Sequence, residues 1–456
     1  MQSFPRRLTI STRLLAGIAG CVALAMALIP ALAADLSAIV HKPSVDVHSG
    51  PDFATPTIAQ LKRNAPVRIS GQEGLWYRLA MATGTPGFVR VNDVRMAYAG
   101  KGNSDAGLNV LFTGKAGKGR VTETAGVRGL DESDLQSASY DSAQLAKLDG
   151  YRLSPQAAAA QARAQGLDDT AVAYAAEAKT AAPGAANSAT REQKRGGLAI
   201  ARSLLSQFGG SSIGNSAMNV ADRSAGKSED EQSAEELALG PEIAGRILGA
   251  APLWQDDAAQ KRVNRIGRWL ASHSSRPELP WTFGVIDTPE VNAFAAPGGY
   301  VLMTRGMYDL LADDGEVAGV LGHEISHVVQ RDHYNVIHKQ EVASAGEEAI
   351  AGHVNVGGGI AGSMAKDYVR EHGAAVMLTS LDRGAEYRSD EAAEIYLARS
   401  GFNPLGLYAV LQKMTAMGTA SPRLAQLYRT HPPLAERLDR IDSRGFAGLA
   451  QYTQRR

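Results

Sequence analysis

Residues 315–333 read Gly-Glu-Val-Ala-Gly-Val-Leu-Gly-His-Glu-Ile-Ser-His-Val-Val-Gln-Arg-Asp-His. They contain the pattern H-E-x-x-H at His323, Glu324 and His327. On an α-helix, residues four apart lie on one face, one turn from each other. Both imidazoles can therefore aim a nitrogen at a single cation, and Glu324 stands within reach of a water bound there. Zinc accepts nitrogen and oxygen donors and in hydrolytic sites keeps one position open. A bound zinc ion lowers the pKa of water towards about 7. A carboxylate beside it can take the proton and pass it on to a leaving amine, while the metal stabilises the developing oxyanion. The chemistry within reach of these three residues is metal-assisted hydrolysis of an amide. The flanking Val317, Val320, Leu321, Ile325 and Val328 supply apolar positions for burial, and no proline interrupts the run.

Such a site needs a third protein donor. It comes either from a histidine close behind the motif or from a glutamate on a second helix. Glu386 and Asp390 are four apart in Ala385-Glu386-Tyr387-Arg388-Ser389-Asp390-Glu391 and share a helix face. On spacing alone they read equally as solvated charges on an exposed helix. His333, six residues past His327, reads as structural, and His338, His353 and His372 as solvent-facing.

Several elements must position these groups. Leu237 to Leu248, Ala258 to Ser272, Glu316 to Gln330, Glu386 to Arg399 and Leu405 to Met417 have helical patterning. Trp281 to Ile286 and Tyr300 to Thr304 read as strands. The region 234–450 is thus an α+β domain dominated by helices. Between the two site helices, residues 341–379 contain Gly357-Gly358-Gly359 and no membrane-length apolar run. They form either a mobile lid or partner-binding flap, or an insertion without a catalytic role.

The chain has 456 residues, long enough for more than one domain. Lys plus Arg and Asp plus Glu both number 47, so no basic excess points to nucleic acid. Residues 1–34 read as an export signal: Arg6, Arg7 and Arg13, an apolar stretch from Leu14 to Ile29, then Ala31-Leu32-Ala33 before the cleavage point. A membrane anchor or a lipid-modified Cys21 is the less favoured alternative. Cys21 is the only cysteine, so cleavage leaves a chain with no thiol and a metal site built from His and carboxylate. Losing three arginines and no acid brings the formal charge to −3.

Residues 37–98 carry short β-rich pieces at Val45 to Val47, Val67 to Ile69, Trp76 to Leu79 and Gly87 to Val91, punctuated by Gly50-Pro51, Gly71, Gly74 and Pro86-Gly87. Such spacing predicts a small β-barrel. The order Val-Asp-Val-His-Ser-Gly-Pro (45–51), Ile58, Leu61, Trp76-Tyr77 and Gly87-Phe88-Val89 resembles a bacterial SH3-like domain. Residues 99–233 read as a linker rich in Ala, Gly and Ser with some helix, at Pro155 to Gly166 and Thr170 to Ala182.

The ordered motifs of the third region carry a second resemblance. Val291 to Tyr300, with Asn292-Ala293-Phe294, is followed by Thr304-Arg305-Gly306, H-E-I-S-H and Glu386-Tyr387-Arg388-Ser389-Asp390. Then come Gly401-Phe402-Asn403-Pro404 and Thr430-His431-Pro432-Pro433. From Leu237 to Ile441 this looks like the HtpX/BepA/Oma-type zinc metallopeptidases, the family that includes the CAAX prenyl protease. The resemblance implies a zincin-type metallopeptidase domain with one zinc ion per chain. His323, His327 and Glu386 would be its ligands, Glu324 its general base and Asp390 the partner that orients a ligand. Ser389 stands where the family usually has alanine. Asn292, Ala293 and Phe294 match the strand beside the cleft, where a substrate peptide adds as a further strand. His431 matches a histidine that can approach the metal, either to assist the oxyanion or to fill the open position in a latent state.

The expected fold is therefore a small all-β SH3-like barrel, a linker and a mainly helical metallopeptidase domain. The expected function is a periplasmic endopeptidase acting on polypeptide substrates in envelope quality control. Its SH3-like domain would hold peptidoglycan or a protein partner, peripheral contact with a membrane is open, and nucleic acid is not a partner. Two alternatives stand beside it: a chaperone or assembly factor that retains the zinc site, and a cell-wall hydrolase.

Overall fold

The structure is a computed structural model. It describes residues 36–97, 108, 111–113, 130–172, 229–340, 369, 372–444 and 448–455. The export segment 1–34 with Cys21, and most of the 341–379 stretch with His353, lie outside the described residues. So do residues 173–182 of the second helix expected in the linker.

Seven strands come first: β1 Leu36–Val40, β2 Ser44–His48, β3 Thr57–Lys62, β4 Pro66–Glu73, β5 Trp76–Leu79, β6 Gly87–Arg90 and β7 Val94–Met96. They form one antiparallel sheet in the order β3-β2-β6-β5-β4-β1-β7. The four expected strands are β2, β4, β5 and β6. β1, β3 and β7 add to them; β3 is an edge strand with no buried residue, so its sequence need not carry strong apolar alternation. Leu36, Val47, Ile69, Tyr77, Val89 and Val94 fill the inner face.

Residues 130–172 carry three short helices: α1 Glu132–Ser137, α2 Ser142–Asp149 and α3 Pro155–Ala164. Each has a side-chain N-cap, from Asp131, Asp141 and Ser154, which satisfies donors the first turn leaves unpaired. Leu135, Leu145 and Leu148 pack with Ile243, Ile247, Phe294 and Met377 in one apolar cluster. This stretch is thus folded onto the following domain, an outcome that helix propensity alone does not specify.

The remaining elements are α4 Glu229–Ala250, α5 Asp257–Ala271, β8 Thr282–Ile286, β9 Ala293–Ala296, β10 Tyr300–Thr304, α6 Arg305–Leu310, α7 Asp314–Val329, α8 Arg383–Arg399, α9 Leu405–Met417, α10 Ala425–Thr430 and α11 Leu434–Arg444. Helices dominate, as the patterning predicts. β10 lies between β8, to which it is parallel, and β9, to which it is antiparallel. β9 is therefore an edge strand of this sheet.

The first sheet is seated on the helices through buried polar ties. Gln412 of α9 donates to the carbonyls of Val91 and Val94, at 3.2 and 2.5 Å, and accepts from the Met96 N–H at 3.1 Å. Arg95 pairs with Asp442 of α11. Gln72 of β4 donates to Glu316 of α7 at 2.8 Å, and the other oxygen of Glu316 meets the Lys413 ammonium at 2.5 Å. Glu316 and Lys413 are both fully buried.

Candidate active site

Helix α7 carries the H-E-x-x-H residues. Asp313 caps its start by accepting from the Glu316 N–H at 2.9 Å. The helix is buried nearly all round, and glycines let its neighbours approach. A Cβ at Gly319 would lie 2.4 Å from the Leu407 nitrogen, and one at Gly406 only 2.3 Å from the Gly315 carbonyl. Against another face lies α8, capped by Asp382, with Glu386, Ser389 and Asp390 turned inwards and buried.

The donor atoms converge. His323 Nε2 is 3.1 Å from His327 Nε2. The two lie 3.5 and 3.7 Å from the two oxygens of Glu386. A tetrahedral zinc with bonds of about 2.0–2.1 Å has ligand-to-ligand edges of roughly 3.3 Å, so these separations match one face of such a polyhedron. His431 Nε2 reaches to 3.6 Å from Glu386 Oε2, and His323, Glu386 and His431 form a second donor group within 4.8 Å. The two groups share His323 and Glu386.

The other ring nitrogens explain why the near faces are electron-rich. His323 Nδ1 lies 3.0 Å from Asp390 and His327 Nδ1 2.8 Å from Asp332. Each imidazole donates its Nδ1 proton to a carboxylate, which leaves a lone pair on Nε2. Two lone pairs 3.1 Å apart cannot satisfy each other. Glu386 Oε2 is buried without a hydrogen-bond partner. A cation relieves all three, so the residues fit a metal ion.

Asp390 is itself clamped by Arg437 of α11, at 2.9 Å through Nε and 2.5 Å through Nη2. Ser389 Oγ lies 3.2 Å from His327 Nδ1. Burial works against the charged form of Asp390, but Arg437 and His323 outweigh it and hold its pKa at about 2. Burial also opposes a charged Glu386, yet His431, His323 and His327 keep it well below the usual carboxylate range. At His323, burial and Arg437 favour the neutral ring, but Asp390 and Glu386 prevail and raise its pKa to about 9. The cluster therefore attracts positive charge, whether proton or metal. Burial pushes the Glu324 carboxyl up, the direction that suits a proton acceptor working near neutrality. Burial takes His431 down to about 4 and His333 to about 3.

Glu324 shares a small cavity with Asn292, Ala293, Met377, Leu381 and His333. Of the expected substrate strand, Asn292 and Ala293 border the cavity, whereas the Phe294 ring is buried in the apolar cluster with Leu135 and Met377. Met377 belongs to the 3-10 turn Gly373–Leu378. Gly373 has φ of 62°, and a Cβ there would lie 2.5 Å from the Leu135 carbonyl of α1. Helix α1 therefore packs tightly against the turn that carries Met377.

Residues 257–445 match the model of the family described as Peptidase family M48. Over these residues the chain is similar to peptidase family M48. The match contains His323, Glu324, His327, Glu386, Asp390, His431 and Arg437; the seven-stranded sheet and residues 130–172 precede it. The chain is 28% identical over 213 residues to the beta-barrel assembly-enhancing protease of Escherichia coli strain K12, which covers 45% of this chain and 42% of that protein. It is 27% identical over 184 residues to metalloprotease LoiP of the same organism, covering 40% and 69%. It is also 27% identical over 234 residues to the protease HtpX homolog of Syntrophobacter fumaroxidans, covering 42% and 79%. The chain thus spans less than half the length of the beta-barrel assembly-enhancing protease it matches. No helix among the described residues is long and apolar enough to cross a membrane.

Asp332 and Arg437 were not among the residues singled out from sequence. Asp332 lies just past Arg331, whose φ of 59° turns the chain back towards the site, and a carboxylate five residues beyond the second histidine is the signal that points to it. Arg437 is 47 residues from its partner, and nothing local marks it.

Proposed function

We propose that this chain is an exported zinc metalloendopeptidase. The observation that carries the reading is the convergence of two Nε2 atoms and an unpartnered Glu386 oxygen within 3.7 Å, in the same cavity as Glu324. His323, His327 and Glu386 would hold the ion. Zinc bound there would supply a Lewis acid for an amide carbonyl. Glu324 takes a proton from the attacking water and delivers it to the leaving amine. Asp390 and Asp332 hold the imidazoles in one tautomer and orientation, and Arg437 holds Asp390. A peptide pairs with the free edge of β9 beside Asn292 and Ala293, its backbone donors and acceptors met by the strand. Phe294 anchors that strand from behind. His431, hydrogen-bonded to Thr430 Oγ1 at 2.8 Å, either donates to the oxyanion or occupies the fourth donor position in a latent state.

The name of one relative, a beta-barrel assembly-enhancing protease, supports envelope protein quality control as the process, with unfolded or misassembled exported proteins as substrates. The first sheet is read as an SH3-like domain that holds peptidoglycan or a protein partner. A second reading, an assembly factor with a latent site, draws on the position of His431 near Glu386.

The test is metal content and casein cleavage of the mature protein, wild type beside Glu324→Gln. Both are expected to carry about one zinc, with cleavage lower by about 10²–10⁴-fold in the variant. If both bind zinc and neither cleaves, the latent reading prevails. If neither binds zinc, the ligand assignment fails.

A further inference from the structure

His333 borders the cavity that holds Glu324 and Glu386, yet the metal chemistry does not use it. It begins the helical stretch 332–340 beside Asp332, which is committed to His327. The residue is 8% exposed, and its Nδ1 is buried with no hydrogen-bond partner. Its ring meets that of His327 edge to face, with centroids 6.2 Å apart, and it is not part of the converging donor groups. A buried polar group without a partner is unfavourable, and a folded protein usually retains one where a ligand completes it. An imidazole carries at least one N–H in every tautomer and charge state, so His333 brings a hydrogen-bond donor to this cavity.

The expected ligand has the complementary need. A peptide pairing with β9 satisfies one of its edges on that strand. β9 is bonded to β10 on its other side, and no other strand among the described residues stands across the cavity from it. Carbonyls on the far edge of the peptide therefore need donors from elsewhere.

We propose that His333 is a substrate-binding residue whose imidazole N–H donates to a backbone carbonyl of the peptide in the M48 cleft. This rests on the peptidase reading above. It assigns a role beyond spacing a helix, and it makes the recognised feature of the substrate its main chain, which suits unfolded polypeptides of varied sequence.

The experiment uses the full mature chain with Glu324→Gln, so that binding is read without turnover, and fluorescein-labelled β-casein as the probe. His333→Phe keeps a flat ring for packing and removes the donor; His333→Asn keeps a donor. Loss of one net hydrogen bond predicts a Kd raised about tenfold in His333→Phe and less than about threefold in His333→Asn, with zinc content unchanged in both. With Glu324 restored, His333→Phe raises KM by about the same factor and leaves kcat nearly unchanged. Casein binding by His333→Phe equal to its parent would show that the ring only packs, and overturn the proposal. Loss of zinc in either variant would assign His333 to the support of the metal site, and overturn it equally. A wild type that fails to cleave while His333→Phe still weakens casein binding would count against the peptidase reading alone.

Discussion

Asp332 and Asp390 act at a distance of one ring from the metal position. Each takes the Nδ1 proton of one histidine, so each decides which nitrogen faces the ion. Replacing either carboxylate by alanine is expected to lower zinc affinity by about 10–100-fold, read by competition with a chelating dye; Glu324→Gln is expected to leave that affinity nearly unchanged. Asp390 also makes a pH prediction. Its carboxyl is held at about 2 in the folded chain against about 3.9 unfolded. A group depressed in this way stabilises the fold above its unfolded value, and the contribution is lost as pH falls from about 4 to about 2. The Asp390→Asn variant is therefore expected to unfold with a flatter pH dependence over that window, measured by urea titration at each pH. At this scale His323, Glu324 and His327 are legible because one helix turn relates them. Arg437 is not, because its partner is distant in sequence and only packing brings the two together.

The elements that carry the site meet through small residues. Gly406 of α9 lies so close to α7 that a methyl would fall 2.3 Å from a backbone carbonyl, which no side-chain rotation relieves. Gly406→Ala is expected to cost about 1–3 kcal/mol of stability and to reduce zinc affinity, because moving α7 moves both histidines. Thermal unfolding with and without added zinc checks this, with Gly448→Ala as a control: its added Cβ meets nothing within 4 Å, so only the positive φ of 81° would count against it. Helical periodicity predicts α7, α8 and α9 within a few residues, because long buried helices repeat their apolar pattern over several turns. The same logic misses β1, β3 and β7. Pairing with neighbours, rather than local pattern, makes them strands.

In the whole molecule the first sheet and the M48 domain share buried polar ties. Glu316 of α7 accepts from Gln72 of the sheet and pairs with Lys413, while Leu310 offers its carbonyl to the same ammonium at 3.2 Å. Removing one partner of a buried pair leaves the other uncompensated. Lys413→Met is expected to destabilise the chain by about 3–5 kcal/mol near neutral pH. Burial already pushes the Glu316 carboxyl up, against the pull of Lys413. Without the lysine its folded pKa rises further. A raised carboxyl favours the folded state at low pH and loses that advantage as pH rises through the folded value. The penalty in Lys413→Met should therefore shrink on acidification towards pH 5, and a penalty independent of pH would refute the assignment.

By itself the sequence determined the pair of histidines and the glutamate between them, the helices that bear them, and an all-β segment ahead of a helical domain. These are local properties: residue type, a spacing of four, and apolar repeats. It also placed Glu386 and Asp390 on one helix face, although spacing alone could not distinguish ligands from solvated charges. Tertiary structure removes the solvated reading by burying both carboxylates against α7, where charge persists only with partners. It alone brought Arg437 to the site, turned Phe294 away from the cleft, and packed Leu135, Leu145 and Leu148 onto the following domain. These outcomes depend on contacts between segments far apart in the chain, and side-chain burial, which selects among them, is a property of the packed core and not of any window of sequence.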